Sequence, residues 1–380
     1  MSYSFYFPTR FFVSNNISTD LPSLIESKPG QDAVLVLADQ GVVRAGITQP
    51  IIEALANDNK RVSIFNDIPG NPDINDVEKA MRVAQDCQPH LIIAIGGGSV
   101  IDTAKAIAIL STHNGVTWED LQWGRAKIVN SALPLIAIPT TAGTGSEVTH
   151  VAVIGDSKGF KKGVVHPSLF PSVALLDASL TKTLPSNLTA ATGMDALVHG
   201  IEAYLGKRAN PMTNLYALRA IKDIVHWLPE AVHHGENLEA RKAMLQASSW
   251  AGIAFDQAGL GLCHALCGPL ANHYHVHHGL GNTVLLPATL AFNALAINAE
   301  KWAPLRDALG LPTDAQPAIL EEWATKFIRG LGLPTKLREL GVQPSSIEKM
   351  AQETLQMAMI GNNIRGASFE DCKYILEKSL

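Results

Sequence analysis

The sequence predicts two domains in tandem, an α/β domain with a parallel sheet and then a domain of helices alone. In the first half, short apolar runs alternate with segments of helical spacing, which is typical of a parallel sheet covered by helices on both faces. After about Pro185, long stretches rich in Ala, Leu and Met contain few strand signals. A chain of 380 residues can form two cores. We therefore expect an α/β domain over residues 1–185 and an all-helical domain over residues 186–380.

Individual elements follow from the same patterns. The expected strands are the apolar runs Ala33–Ala38, Val62–Phe65, Leu91–Ile95, Leu135–Ile138 and Val173–Leu176. Helical spacing is found at Ile51–Ala56, Val77–Gln85, Val100–Leu110, Ala190–Leu205, Pro211–Leu228 and Glu239–Phe255.

Composition excludes several classes of protein. Hydrophobic residues make up 47% and charged residues 17%, so the chain can bury a large interior and is not disordered. A net charge of −5 argues against a nucleic-acid binder. Four cysteines are too few for a disulfide scaffold, and the start lacks the features of a secretory signal. We expect a soluble, cytoplasmic protein with no membrane and no nucleic-acid partner.

The segment from Gln257 to Ala299 contains no Asp, Glu, Lys or Arg, yet it holds five of the thirteen histidines. A membrane-spanning helix needs about 20 predominantly apolar residues. Glycines and prolines such as Gly268, Pro269 and Pro287 interrupt this stretch. Burial inside a large domain is the better interpretation, and buried histidines are typical of a metal or catalytic site.

A glycine run follows the expected strand Leu91–Ile95. Gly96, Gly97, Gly98 and Ser99 lead directly into a helical pattern. A strand, a glycine turn and a helix N-terminus form an anion site, because free backbone N–H groups and the helix dipole point at the ligand. The dinucleotide fingerprint G-x-G-x-x-G and the Walker motif are absent. A tight turn without a ligand is the alternative, and Asp102 in the next turn either faces a ligand or lies on a solvated face.

A second polar turn follows the strand Leu135–Ile138. It contains Thr140, Thr141 and Thr144 and lies where α/β sheets bind ligands, beyond the carboxyl ends of the strands. Asp39 follows another strand, and a carboxylate there accepts hydrogen bonds from an adenosine ribose and selects NAD over NADP. The alternative for Asp39 is a helix N-cap. Together the two loops predict a dinucleotide site.

Four side chains in the second half predict a metal site. Asp195 and His199 are four residues apart, hence on one face of a helix, and His264 and His278 lie in the charge-free segment. Three imidazoles and one carboxylate suit Fe²⁺, Zn²⁺ or Mn²⁺. We interpret the neighbouring cysteines of that segment as buried packing residues rather than as zinc ligands.

A metal and a dinucleotide together indicate one reaction class. A divalent ion acts as a Lewis acid on the alcohol or carbonyl oxygen, while the nicotinamide carries the hydride. The two sites therefore predict reversible oxidoreduction of an alcohol and its aldehyde.

The ordered motifs resemble those of the iron-containing (group III) alcohol dehydrogenase family. The resemblance spans nearly the whole chain, and the segment Ala258–Leu266 is especially similar to the ethanolamine- and propanediol-type members. It rests on Phe5-Tyr6-Phe7-Pro8, Gly96-Gly97-Gly98-Ser99 with Asp102 and Lys105, Pro139 to Glu147, Leu188 to Leu197 with His199, Glu202-Ala203-Tyr204, and Gly259 to His264.

The resemblance implies a Rossmann-like N-terminal domain, an all-helical C-terminal domain in a dehydroquinate-synthase-like arrangement, an active site in the cleft between them, and a homodimer or higher homo-oligomer. By position it implies metal ligands at Asp195, His199, His264 and His278. It implies NAD-binding residues at Asp39, Gly97, Gly98, Ser99, Asp102, Thr140, Thr141, Thr144 and Lys161 (with Lys162 as the alternative to Lys161).

The sequence departs from the family at two points. The family's second active-site histidine is replaced by Gly268, which carries no proton relay and is expected to enlarge the pocket. His277 stands where the family has a proline, and we expect it to supply a polar or cationic catalytic group, although a purely structural role is the alternative. Arg365 and the extra histidines suggest a small aldehyde bearing an anionic group, with helix capping as the other interpretation of Arg365.

Three alternatives to this function are considered. A dehydroquinate-synthase-like lyase needs several Lys and Arg in its pocket, and the charge-free segment argues against it. A maleylacetate-reductase-like enzyme works without metal, whereas all four ligand positions are retained here. A non-catalytic metal or nucleotide sensor needs no hydride acceptor.

Overall fold

The computed structural model describes residues 2–25, 30–157 and 160–380. Two compact units are present. One contains Phe7–Thr141 and Gly145–Thr183. The other contains Leu184–Leu380, the short segment Ala142–Thr144 and the start of the chain up to Tyr6.

The first unit is built on a six-stranded sheet in the order β1-β8-β5-β4-β2-β3, in which every pairing is parallel. Its strands are β1 Arg10–Ser14, β2 Ala33–Ala38, β3 Arg61–Phe65, β4 Leu91–Gly96, β5 Leu135–Pro139 and β8 Val173–Asp177, and an antiparallel hairpin adds β6 Val151–Gly155 and β7 Lys161–Val165. Its α-helices are α1 Ile17–Asp20, α2 Gln40–Arg44, α3 Thr48–Asn57, α4 Ile74–Cys87, α5 Gly98–Leu110 and α6 Trp118–Gln122. Short 3₁₀ helices span Leu21–Leu24, Ser146–Val148, Pro167–Leu169 and Ala178–Thr181.

Strands β2 and β4 are buried along their whole length. Alternate residues of each strand enter two different cores, because successive side chains point to opposite faces. Leu35 and Ile92 belong to one core, and Val34 and Ile93 belong to the other. The continuous apolar runs of the sequence therefore reflect a sheet that is covered on both faces.

The second unit contains α-helices and 3₁₀ helices among its described residues. The α-helices are α7 Ser186–Leu205, α8 Pro211–His233, α9 Leu238–Ala258, α10 Leu262–Tyr274, α11 His278–Ala294, α12 Ala299–Ala308, α13 Leu320–Gly330, α14 Ile347–Thr354 and α15 Phe369–Ser379. The 3₁₀ helices are Pro317–Ile319, Leu337–Leu340, Pro344–Ser346 and Ala358–Asn362. The charge-free segment forms α10 and α11, both of which are largely buried. No helix of the described chain is long and apolar enough to cross a membrane.

The predicted fold class, an α/β domain with a parallel sheet followed by an all-helical domain, is confirmed. All five predicted strands are present, each within one residue of its predicted bounds. The edge strand β1 and the hairpin β6–β7 are not among the predicted strands.

Candidate metal centre and nucleotide loops

Helix α7 carries the first two predicted ligands on one buried face. Asp195 and His199 are both about 95% buried. Gly193 lets α7 approach α8 closely, because a Cβ atom built on it would lie 2.3 Å from Leu228 Cδ1. Asp195 therefore sits inside the unit, although a charged side chain is rarely buried there without a partner.

Helices α10 and α11 bring the other two ligands to the same place. His264 lies in the first turn of α10, and His278 is the first residue of α11. The next residue, Gly279, makes this approach possible, since a Cβ atom there would lie 2.3 Å from the Ala191 carbonyl oxygen of α7. Any side chain at position 279 would push the start of α11 away from Asp195.

The ligand atoms of Asp195, His199 and His264 lie within 4.8 Å of one another. Asp195 Oδ2 is 4.0 Å from His199 Nε2, and Asp195 Oδ1 is 3.8 Å from Nε2 of both His264 and His278. Donor atoms about 2.0–2.2 Å from one ion lie no more than about 4.4 Å apart. The carboxylate distances therefore fit a single divalent ion. The geometry groups three of the four predicted ligands, and His278 flanks the same carboxylate.

Glu202 fixes the orientation of His264. Its Oε2 lies 2.6 Å from His264 Nδ1 and accepts a hydrogen bond from the Gly261 N–H, while Oε1 accepts one from the Cys263 N–H at 2.6 Å. With Nδ1–H donating to Glu202, the lone pair of His264 is on Nε2. That nitrogen is buried and has no hydrogen-bond partner among the described residues. A buried nitrogen without a partner is costly in an apolar interior, and a metal ion would satisfy it.

His199 is oriented by the short segment Ala142–Thr144. Its Nδ1 lies 3.3 Å from the Gly143 carbonyl oxygen, so Nδ1–H donates a hydrogen bond to that oxygen. The other ring nitrogen, Nε2, therefore faces Asp195 with its lone pair. The ring stacks between Phe255 and His264, with centroid distances of 4.4 and 4.7 Å. A side chain on Gly143 would meet Thr192 of α7 at 2.8 Å, which explains the glycine at this contact.

The protonation states of Asp195 and His199 suit a cation. Burial would raise the pKa of Asp195, but the neighbouring histidines outweigh it and lower this pKa to about 2. Burial lowers the pKa of His199 to about 4. The carboxylate is thus ionised and the His199 imidazole neutral at physiological pH, which is the form in which each binds a metal. Burial would lower the pKa of His264, but the Glu202 carboxylate outweighs it and raises this pKa, so a metal ion competes with a proton there.

Asn282 was not predicted from the sequence. It lies one turn after His278, and its Nδ2 is 2.8 Å from Asp195 Oδ1 and 3.2 Å from His278 Nε2. Cys267 Sγ is 3.5 Å from the other ring nitrogen of His278. Burial raises the pKa of the Cys263 thiol well above its usual value, which agrees with the interpretation of the cysteines as packing residues.

The nucleotide loops follow three adjacent parallel strands. Gly97 is the N-cap of α5 after β4, Thr140 follows β5, and Asp39 follows β2. Because these strands are neighbours in the sheet, the three positions share its carboxyl edge. Gly97 faces the second loop closely, since an added Cβ would lie 3.2 Å from Thr141 Oγ1. Helix α5 begins directly after Gly97, which is the local structure that the expected anion site requires.

Several predicted cofactor side chains are engaged within the protein. Asp39 Oδ1 accepts from the Val42 N–H at 2.9 Å and caps α2, as in the alternative interpretation. Ser99 Oγ donates to the Gly70 carbonyl oxygen at 2.6 Å. Asp102 accepts from Ser146 Oγ at 2.5 Å and from the Val153 N–H at 2.9 Å, so it joins the second loop to the β6–β7 hairpin. Lys161 begins β7 on the surface.

Gly268, one of the two positions at which the sequence departs from the family, lies against Met357. The space beside Gly268, which we expected to widen the pocket, is filled by Met357: a Cβ on Gly268 would lie 2.6 Å from Met357 Cε.

The side chain of His277 is exposed, and its backbone carbonyl accepts a hydrogen bond from the Gly281 N–H. His273 Nε2 lies 2.8 Å from Glu353 Oε2. Arg365 stacks on the Phe292 ring at 3.8 Å and donates to the Phe292 carbonyl oxygen.

The C-terminal loop contributes two asparagines that hold the start of α10. Asn362 Nδ2 donates to the carbonyl oxygens of Ala258 and Leu260, and Asn363 Oδ1 accepts from the Leu262 N–H. The loop therefore fixes the backbone immediately before His264.

Comparison with known proteins decides the family. The model for iron-containing alcohol dehydrogenase matches residues 8–178, and the C-terminal model of the Fe-containing alcohol dehydrogenase family matches residues 189–380. The chain belongs to the iron-containing alcohol dehydrogenase family. It is 39% identical to a probable alcohol dehydrogenase, EutG, of Salmonella typhimurium over 89% of this chain and 85% of that protein. It is 35% identical to the NAD-dependent methanol dehydrogenase of Bacillus methanolicus over 92% of this chain and 93% of that one.

Solved structures of this family are also similar to the chain. A 1,3-propanediol oxidoreductase has a TM-score of 0.92 and 32% identity, with full coverage of both chains. A sulfoacetaldehyde reductase from Bifidobacterium kashiwanohense, in complex with NAD⁺, has a TM-score of 0.91 and 27% identity over 100% of this chain and 98% of that one. The predicted family, fold class and enzyme class are confirmed. The expected cofactors, NAD and a divalent metal, agree with the family, its NAD-dependent members and the Asp195–His199–His264 triad.

Proposed function

We propose that the protein uses a divalent metal ion and NAD(H) to interconvert a small primary alcohol and its aldehyde. The observation that carries the proposal is the buried triad of Asp195, His199 and His264, in which His264 Nε2 lacks a hydrogen-bond partner within the described chain. Such a cluster is costly without a cation, because it holds a buried carboxylate and an unsatisfied nitrogen. We propose His278, beside Asp195, as the fourth ligand.

The chain's residues have distinct tasks in this reaction. A bound divalent ion supplies Lewis acidity that polarises the substrate oxygen. Asp195 contributes the negative charge of the ligand set, and Glu202 and Gly143 hold the imidazoles of His264 and His199 so that each presents Nε2. The N–H groups at the start of α5 would hold the pyrophosphate of the dinucleotide, and Asp39 would accept a hydrogen bond from its adenosine ribose.

The substrate itself is proposed at the level of a small primary alcohol or aldehyde. Relatives in the family act on different alcohols by name, including methanol and 1,3-propanediol. An aldehyde with an anionic group would need a cationic side chain to bind it. Two of the cationic candidates are engaged elsewhere, since Arg365 stacks on Phe292 and His273 pairs with Glu353. A metal-free enzyme of the maleylacetate-reductase type is disfavoured by the buried triad.

The test is NADH oxidation by protein that has been stripped with a chelator and reloaded with Fe²⁺, Zn²⁺ or Mn²⁺ in parallel. Neutral aldehydes of two to four carbons and anionic aldehydes of similar size are compared. We expect reloading to restore turnover and neutral aldehydes to be preferred. Absence of metal-dependent turnover with every aldehyde would contradict the proposal, and preference for anionic aldehydes would assign the finer substrate class.

His277 is proposed as the group that exchanges a proton with solvent. Gly268 has no side chain to do so, and His277 is an exposed imidazole directly before His278. We expect His277→Ala to lower kcat by about 10²–10⁴-fold and to remove a limb of the pH profile. An unchanged pH profile of kcat/KM would exclude His277 from the mechanism. His275→Ala, which changes a neighbouring exposed histidine, is the matched control.

A further inference from the structure

The segment 353–363, here called the α10 strap, runs antiparallel along helix α10. At one end Glu353 pairs with His273 at 2.8 Å. At the other end Asn363 accepts from the Leu262 N–H at 3.3 Å, at the start of the helix. Between these anchors Met357 lies against Gly268. The strap is thus fixed to both ends of α10 and covers its middle.

The contact between Met357 and Gly268 is close. A Cβ atom on Gly268 would lie 2.6 Å from Met357 Cε and 3.4 Å from Sδ. Both residues are partly exposed, so the thioether is not part of a closed core. A methionine side chain is unbranched and fills irregular space. It can therefore line a pocket that accepts substrates of different shape.

The position of this contact relates it to the metal centre. Gly268 is four residues after His264 in the same helix, and residues four apart lie on one face. The Met357 thioether therefore covers the turn of α10 that follows His264. Four residues of α-helix span about 6 Å along the axis, so the thioether is within reach of the carbon chain of a substrate whose oxygen is held near His264.

We infer that Met357 is a specificity-determining residue that limits the length of the carbon chain of the substrate. The inference rests on the proposed alcohol dehydrogenase function and adds the substrate class, short-chain aldehydes and alcohols. Gly268 has the complementary role, because only glycine leaves room for the thioether to lie against α10.

The experiment compares kcat/KM for butanal and octanal in the metal-loaded enzyme with NADH. Met357→Ala is expected to raise the octanal-to-butanal ratio by at least about tenfold, since one methylene in an apolar pocket changes discrimination by 10–200-fold. Met357→Leu, which keeps most of the volume, is expected to retain the wild-type ratio. Met81→Ala removes a partly buried methionine of the other unit and is the control for the substitution itself.

Gly268→Ala tests the contact in a double-mutant cycle. With Met357 present, the methyl group of Gly268→Ala displaces the thioether and changes the octanal-to-butanal ratio. In the Met357→Ala background the methyl group meets no thioether, so the ratio should hardly change. Met357→Val replaces the alanine variant if the latter does not fold, as judged by circular dichroism and metal content. An unchanged octanal-to-butanal ratio in folded Met357→Ala or Met357→Val, or additive effects in the cycle, would overturn the inference. Absence of turnover in the wild type with every aldehyde contradicts the proposed function instead.

Discussion

The metal centre and the glycine loop are built in different ways. At the metal centre, side chains of α7, α10 and α11 converge, and their other polar atoms are held by Glu202, Gly143 and Asn282. At the glycine loop, the side chains of Ser99 and Asp102 are turned to partners within the protein, and the available donors are backbone N–H groups at the start of α5. One site depends on side-chain identity, and the other depends on backbone shape.

This difference decides how each site responds to substitution. Loss of one side chain at the metal centre removes a ligand or leaves a buried group unpaired. At the glycine loop most side-chain changes act only through the shape of the turn. We therefore expect the largest effects of single substitutions in α7 and α10, and smaller effects around β2 and α5.

The largest effect is expected from His264→Ala. This change removes the one ligand nitrogen that is buried without a hydrogen-bond partner among the described residues. We expect loss of bound metal and a fall in turnover of more than about 100-fold, beyond the range for outer-sphere partners. The control is His273→Ala, a histidine of the same helix that also pairs with a glutamate. Metal content measured by mass spectrometry should be retained in the control, and a His264 variant with full metal content would contradict the site.

A second, smaller effect is expected from Glu202→Gln. The amide keeps the shape but places an NH₂ group against N–H donors of Gly261, Cys263 and His264. We expect metal affinity to fall by about 10–100-fold, measured as the dissociation constant for Co²⁺ from its absorption spectrum. Asp177→Asn is the matched control, because Asp177 is also buried and accepts from Ile17 and Ser179. Equal Co²⁺ affinity in Glu202→Gln and wild type would assign Glu202 a structural role only.

At the nucleotide edge, Asp39→Asn separates two roles of one carboxylate. Asn is as good an N-cap as Asp, so the cap on Val42 and the unfolding free energy should be retained. Loss of the negative charge should raise the ratio of kcat/KM for NADPH over NADH by about tenfold. Asp73→Asn changes another capping aspartate and should leave the ratio unaltered. An unaltered ratio in Asp39→Asn would leave helix capping as the role of Asp39.

The same contrast explains what the sequence could predict. Continuous apolar runs predict β2 and β4. Both faces of the sheet are covered there, so apolar residues do not alternate with polar ones along these strands. The edge strand β1 and the hairpin strand β6 contain only the short apolar runs Phe11–Val13 and Val151–Ile154, and β7 has a mixed pattern with exposed residues, so these strands were not predicted.

The metal ligands were predicted from the chemistry of their side chains rather than from hydrophobic periodicity. Asp195, His199 and His264 were found because few other side chains bind divalent ions. Glu202 and Asn282 were missed as orienting residues, since a glutamate or asparagine on a helix has many roles and only the fold shows which atoms it reaches. The usable signals for Glu202 were its place in the Glu202-Ala203-Tyr204 motif and its charge in a helix whose only other acidic residue is Asp195.

The smallest effect concerns the framework of α7 rather than its ligands. Tyr204 Oη donates to the Lys301 carbonyl oxygen at 3.0 Å, and burial raises the pKa of Tyr204 to about 12 from its usual 10.0. A raised pKa means that the unfolded chain loses this proton first, so the stability linked to Tyr204 is present below pH 10 and is lost between pH 10 and 12. Tyr204→Phe should therefore flatten the fall of the unfolding free energy across that range, at a cost of about 1 kcal/mol at neutral pH.

Denaturant unfolding of the full chain at several pH values measures this slope, and exposed Tyr374→Phe provides the control. Because Tyr204 lies in the last turn of α7, nine residues after Asp195, Co²⁺ affinity should stay at the wild-type value in this variant. If Tyr204→Phe weakened Co²⁺ binding as much as Glu202→Gln, the metal centre would depend on the packing of the whole helix. The contrast between a site of individually held side chains and a site of backbone shape would then no longer hold.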